Sequence, residues 1–262
     1  MRLLDIRNPF GAPVFHEETV SSTMDVSRML ALQGQPHGTV ITADFQEAGR
    51  GRVKGRKWDM ERECSLSFTL LLRFPRPEDF PAAITLRAGL ATALAIEDFA
   101  PSLSNTVMIK WPNDILLPFA GSFRKAAGIL CEAEGGNVHI GAGINVGQKS
   151  FPGVLREKAA SVGQAAGMEI SPGGRFSLLE KMLRRLFDIF GPADPGGGGP
   201  GWKKGVEERL YKKGEKVSFA EGAADSGRIV TGTLSGIGPG GELLLYGAAL
   251  RSFTAGELLI NY

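Results

Sequence analysis

A run of glycine and proline, GPADPGGGGPG at 191–201, divides the chain into two stretches of different pattern. It offers almost nothing to bury and no preference for regular structure, so it reads as a loop or linker acting as a passive spacer. Before it, strand-like and helix-like segments alternate, as in an α/β or α+β unit rather than a bundle or sandwich. After it, short segments alternate with period two at Val217–Phe219, Arg228–Leu234, Glu242–Tyr246 and Ala249–Phe253. Turn glycines stand at 236, 238, 240 and 241, and a small barrel of about 50 residues fits this pattern. A chain of 262 residues has room for one large core and a smaller companion. We expect units at 1–205 and 206–262, and no solenoid, because no repeat of 20–50 residues is visible.

Helical spacing is clearest over 82–99, where Ile84, Leu86, Leu90, Ala91, Leu94 and Ala95 recur, and over 176–190, where Leu179, Met182, Leu183 and Leu186 share a stripe. A third helix is expected after Ser21–Ser22, whose hydroxyls suit an N-cap. Strands are expected at 39–45, 65–72, 106–110, 127–132 and 137–145, each bounded by Gly, Pro or charge.

With 30 Lys+Arg against 28 Asp+Glu the net charge is +2, which argues against a surface that grips nucleic acid throughout. No run of about 18 uncharged apolar residues is present, and the first ten residues, MRLLDIRNPF, are charged where a signal peptide is apolar. A cytoplasmic location without membrane attachment is expected. Cys64 and Cys131 stand apart, and His16, His37 and His139 have no ligand spacing, so neither a disulfide framework nor a structural zinc is expected.

Three segments could carry chemistry. GRGRVKGRKW, Gly49 to Trp58, combines glycines with five basic residues between Arg50 and Lys57. Glycine permits close backbone approach and Arg matches phosphate oxygens bidentately, so the segment suits an anion. It lacks the Walker spacing and the hydroxyl after the lysine, and a solvated basic loop or an RNA-contacting patch is the alternative. KWPND, Lys110 to Asp114, ends an expected strand, with Trp-Pro forcing an extended approach and Asn-Asp favouring a turn. Lys110 is there either a charge clamp or a plain strand-ending residue. GAGIN, Gly141 to Asn145, fails as GxGxxG because position 146 is Val, and tight packing explains it equally well.

Taken in order, these segments resemble the biotin protein ligase family over about residues 15–262. The matches are SST (21–23), Gln46 with AGRGR (48–52), GRKW (55–58), KWPND (110–114), Lys125 with AGIL (127–130) and Glu132, and GAGIN (141–145). The glycine-rich, histidine-bearing signature of lipoate ligases is absent. The resemblance implies an α+β fold: a mixed-sheet catalytic domain of the class II synthetase/biotin-lipoyl ligase type, followed by an SH3-like barrel. It also implies ATP-dependent formation of biotinyl-5′-AMP, then transfer to a lysine of a biotin carboxyl carrier protein of acetyl-CoA carboxylase or a related carboxylase.

In that reading Lys110, Arg52 and Arg50 are the catalytic cations, with no covalent enzyme intermediate. Biotin meets Ser22, Thr23, Gln46, Gly49, Arg50, Gly51, Arg52, Trp58, Lys110, Gly128 and Ile129; the nucleotide meets Arg52, Lys110, Asn113 and Asn145. Mg²⁺ accompanies ATP, with Asp114 as a candidate carboxylate. The chain departs from the family at Met24, where Asn is usual, and at Val53–Lys54, which lengthens the basic loop by one residue. The charged stretch 59–67 replaces a glycine-rich run. The short segment before the family core leads us to expect no sequence-specific DNA binding; a homodimer is compatible with the resemblance. The competing readings are a lipoate or octanoate ligase of the same fold and a nucleic-acid-binding module.

Overall fold

The computed structural model describes residues 1–53, 55, 58, 60–191, 201–222 and 228–259. The expected linker falls outside these at 192–200, as do Lys54, Arg56, Lys57 and Asp59 of and beside the basic loop.

The chain runs through β1 (Arg2–Leu3), β2 (Val14–Val20), α1 (Thr23–Leu32), β3 (Val40–Gln46), β4 (Ser65–Arg73), α2 (Ile84–Phe99), β5 (Met108–Lys110), β6 (Asp114–Phe119), β7 (Ser122–Glu134) and β8 (Asn137–Asn145). Then come α3 (Leu155–Lys158), α4 (Val162–Ala166), α5 (Gly174–Phe190), α6 (Trp202–Glu208), β9 (Lys216–Glu221), β10 (Arg228–Ile237), β11 (Leu243–Tyr246), β12 (Leu250–Phe253) and β13 (Gly256–Leu259). The first eight strands form one mixed sheet, ordered β1-β2-β3-β4-β8-β7-β6-β5, in which only β2 and β3 pair in parallel. The last five form an antiparallel sheet, β12-β11-β10-β9-β13.

The large sheet is covered on both faces. Leu66, Phe68, Leu70 and Leu72 of β4 point into the main core, against which α2 and α5 pack. The alternate residues face α1, as the Thr69–Thr23 hydroxyl contact of 2.9 Å shows. Helix α1 starts where Ser22 Oγ accepts the Met24 amide, the expected N-cap. The helices at 82–99 and 176–190 are present within two residues of their expected starts. The strand expected at 106–110 is shorter, and KWPND turns through a cis Trp111–Pro112 bond rather than continuing extended. Strand β2, VFHEETV, was not expected because its charges mask the alternation; pairing with β3 supplies what the pattern lacks.

The two sheets meet at the end of β5. Backbone bonds join Ile109 N–H to the Arg209 carbonyl (2.7 Å) and Tyr211 N–H to the Ile109 carbonyl (2.9 Å), covering an edge that would otherwise be unpaired. Trp111 Nε1 donates to the Gly241 carbonyl at 2.9 Å. No described helix is long and apolar enough to cross a membrane.

Candidate functional site

Strand register assembles the floor of the site. Ala43 lies opposite Ser67, Ser67 opposite Gly143, Gly143 opposite Gly128, Gly128 opposite Asp114, and Asp114 opposite Lys110. Directly paired residues share a face, so KWPND, AGIL and GAGIN each contribute to one row across neighbouring strands. The row is shallow because its middle is glycine. A Cβ at Gly143 would stand 2.5 Å from the Trp58 indole, and one at Gly128 would stand 3.4 Å from both Trp58 and Lys125 Nζ. In the adjacent row, Gly141 leaves space for the Met24 sulfur, 2.8 Å from where its Cβ would be. Met24 therefore closes the bottom of the trough, an apolar contact where the family's usual residue is polar.

Three cavities adjoin one another at Trp58 and Lys125, which line all of them. The first is bounded on the α1 side by Ser22, Thr23 and Gln46, and on the floor by Gly128 and Ile129. Arg50, Gly51, Arg52 and Asn113 complete the expected residues that it gathers. Gln46 Oε1 accepts from the Thr23 amide (2.8 Å) and hydroxyl (3.1 Å), which orients the side-chain amide. Gly49 stands behind the wall; its carbonyl accepts the Trp58 amide at 3.0 Å.

Asn145 and Lys110 lie elsewhere. Asn145 lines the second and larger cavity, with Phe151, Leu155, Arg156 and Lys158. Its Nδ2 donates to the Ala160 carbonyl (3.3 Å), while Oδ1 receives Gln148 Nε2 (3.4 Å). Lys110 lines the third, together with Arg52, Asn113, Asp114 and Glu257. Asn113 itself bridges the turn to β7, donating to the Ile129 carbonyl at 3.1 Å and accepting the Ile129 amide at 2.9 Å.

Each cation around the junction faces an oxygen from a different element. Lys125 Nζ is 2.6 Å from Asp114 Oδ1, and buried Lys110 is 3.8 Å from Glu257 Oε1 on β13. Arg52 donates to the Gly256 carbonyl (2.9 Å), and Arg50 pairs with Asp25 on α1 (2.7 Å), with Glu132 at 3.9 Å. Trp58 Nε1 is buried without a hydrogen-bond partner. Lys125 and Glu257 are the functional candidates that residue spacing did not single out. For Lys125 the signal was its place beside AGIL; for Glu257 the sequence holds none, because its relevance comes from the docking of the second sheet. Burial pushes the Cys131 thiol up to about 12 and also raises Cys64, so neither cysteine is poised as a nucleophile. No group of three or more potential metal-ligating side chains occurs among the described residues.

The arrangement can therefore neutralise two anions brought together at a junction, with a smaller cavity on one side and a larger one on the other. Comparison with known proteins agrees with this chemistry. Residues 17–148 match the model of the biotin/lipoate A/B protein ligase family. A bifunctional ligase/repressor, BirA, of Bacillus spizizenii is 36% identical over 171 residues, 63% of this chain and 50% of that protein. The chain thus spans about half the length of the Bacillus relatives it matches. A biotin–[acetyl-CoA-carboxylase] ligase of Paracoccus denitrificans is 31% identical over 225 residues, 80% of this chain and 85% of that one. Among solved structures, a biotin protein ligase of Aquifex aeolicus in complex with biotin and ATP superposes with a TM-score of 0.73 at 25% identity, covering 94% of this chain and 97% of that one.

Proposed function

The chain belongs to the biotin/lipoate A/B protein ligase family, and from that premise we propose that it activates biotin with ATP and transfers it to a carrier-protein lysine. The observation that carries this reading is the meeting of three cavities at Lys125 and Trp58, ringed by Lys110, Arg52 and Arg50. In the first step a biotin carboxylate oxygen attacks the α-phosphorus of ATP, and pyrophosphate leaves. Two anions must approach, and fixed cations lower that barrier without needing to reorganise. The first cavity suits biotin: Ser22, Thr23 and Gln46 supply polar groups for a ureido ring, and Trp58 supplies an apolar wall. The larger second cavity, with Asn145 and the cations Arg156 and Lys158, suits the nucleotide. Lys125 and Lys110 flank the path between carboxylate and phosphates, while Arg52 and Arg50 hold the loop side. In the second step the carrier's lysine amine attacks the acyl carbon of the mixed anhydride, AMP leaves, and the amine proton is lost to solvent.

Mg²⁺ fits as a companion of the triphosphate rather than as a caged protein metal. Asp114 already faces Lys125 and Glu257 faces Lys110, so these side chains complement cations one by one. A bound Mg²⁺ would supply charge neutralisation on the phosphates, with Asp114 as the candidate protein carboxylate. The same proposal includes a carrier of the biotin carboxyl carrier type, catalytic and barrel units at 1–205 and 206–262, a cytoplasmic setting and no sequence-specific DNA binding. Ser22 Oγ and the Thr23 hydroxyl already have partners within the protein, so a lipoate or octanoate substrate would chiefly leave the Gln46 amide nitrogen facing an apolar chain, at about 1–3 kcal/mol if unpaired. Biotin-dependent exchange of labelled pyrophosphate into ATP, run beside lipoate and octanoate, tests the reading. Exchange with biotin alone is expected; exchange with lipoate alone reassigns the substrate, and none with any acid overturns the reading.

A further inference from the structure

Arg175 lines none of the three cavities, yet its guanidinium touches both ends of the segment that carries Arg50, Arg52 and Trp58. Nη2 donates to Asp44 Oδ1 at 2.5 Å, and Nη1 donates to the Glu63 carbonyl at 2.8 Å. Asp44 stands two residues before Gln46, where β3 ends; Glu63 stands two residues before Ser65, where β4 begins. One planar group thus bridges the neck of the loop. The carboxylate end is itself fixed, because His16 Nε2–H donates to the same Asp44 oxygen (2.7 Å) while its Nδ1 accepts from Arg2 Nε (3.1 Å). The carbonyl end is held in a left-handed conformation, φ +61° at Glu63, which a non-glycine residue keeps only when its surroundings impose it. The neighbouring Cys64 carbonyl accepts the amides of Val146 (3.1 Å) and Gly147 (2.8 Å), which tie this end of the neck to the strand carrying Asn145.

His16, Asp44 and Arg175 are all buried. A buried ion pair is a poor way to gain stability, since apolar residues of similar volume serve as well or better, but it fixes geometry well. We infer that Arg175 is a positioning residue: by spanning Asp44 and Glu63 it sets the width of the loop neck, and so the placement of Arg52 and Trp58 over the cavity. The catalytic side of this inference rests on the ligase reading above; the structural side does not.

The test uses Arg175→Lys in the full chain. Lysine keeps the charge for Asp44, but its single ammonium cannot span both acceptors as the guanidinium fork does. Without ligand, tryptic cleavage between Arg50 and Arg62 is expected to be about tenfold faster than in the unmodified protein, with the unfolding temperature changed by only a few degrees. In pyrophosphate exchange, KM for biotin is expected to rise about tenfold with kcat within about threefold, and biotinyl-5′-AMP to escape about tenfold faster. Arg175→Met should show the same split more strongly, and Asp44→Asn serves as the second variant should the lysine protein not fold. Unchanged cleavage and unchanged KM would overturn the inference, and so would a uniform fall in kcat with the loop as protected as before. If the unmodified protein exchanges with no acid, the ligase reading fails and the cleavage rates alone decide on the neck.

Discussion

The strand floor of the site and the loop lying over it are held by different forces. The floor residues Lys110, Asp114, Gly128 and Gly143 are placed by ladder hydrogen bonds running across the sheet, and their positions follow from register. The loop residues Arg50, Arg52 and Trp58 are placed by a few contacts of their own: Arg50 by Asp25 on α1 and Glu132 on β7, Arg52 by the Gly256 carbonyl on β13, and Trp58 by the Gly49 carbonyl and the glycine floor. Losing one ladder bond leaves a strand in place, whereas losing one side-chain contact loosens a loop residue. On the proposed ligase reading, the floor should therefore govern the rate of the chemical step, and the loop should govern how long the activated intermediate is kept.

The largest effect that could break this division is at the floor cations. Lys125→Ala and Lys110→Ala are each expected to lower biotin-dependent pyrophosphate exchange by about 100–1000-fold, the scale for losing one preorganised transition-state contact, while far-ultraviolet circular dichroism stays unchanged. Near-normal exchange in both would remove the floor from the chemistry. Next comes the loop: Arg52→Ala is expected to leave exchange within about tenfold but to speed release of biotinyl-5′-AMP by about 10–100-fold, measured by trapping the released adenylate. A release rate equal to that of the unmodified protein would take Arg52 out of retention. Gly143→Ala probes where the two regions touch. Its new methyl would stand 2.5 Å from the indole, so Trp58 must move. We expect KM for biotin to rise by about tenfold with kcat little changed, in steady-state kinetics; an unaltered KM would mean that Trp58 is not a wall of the occupied site.

The effect furthest from the chemistry lies on the same face of the sheet, beneath α1, at His139 on β8, which shares a 2.8 Å hydrogen bond with Ser27 of α1. Burial first, and the Arg28 charge second, pull its imidazole down to about 4. An unfolded chain takes up this proton near pH 6.5, so between there and about pH 4 the unfolded state binds more protons than the folded one. The associated stability is complete above about pH 6.5 and is lost as the pH falls toward 4, on the order of 3 kcal/mol in total. Denaturant melts of the protein and of His139→Gln across that range check this: the variant should have the flatter profile, and parallel profiles would assign the acid sensitivity to another group.

Much of the fold was readable because its signals are local. Ser22 capping α1, the apolar stripe of α5 and the period-two alternation in β10 each lie within a short window of sequence. Strand β2 was not readable, since Glu17, Glu18 and His16 make sense there only beside β3, with His16 buried against Asp44. The site divides in the same way. Ser22, Thr23, Gln46, Arg52, Trp58, Gly128 and Ile129 were expected together and line one cavity. Lys110 and Asn145, expected at the same ligands, occupy the cavities on either side, and Lys125 stands at the junction.

By itself the sequence determined the set of chemical groups: which motifs occur, in what order, and so which family they resemble. The composition of those segments already states that anions are to be handled and that backbone must come close to something. Only the tertiary structure decided how the groups are shared out. The row from Ala43 to Lys110 is a product of strand register, a set of long-range pairings that no sequence window contains. Glu257 reaches Lys110 across nearly 150 residues, and Arg175 reaches Asp44 across 131. Contacts of that span depend on how sheets and helices pack once formed, and only there do charges far apart along the chain come near enough to interact.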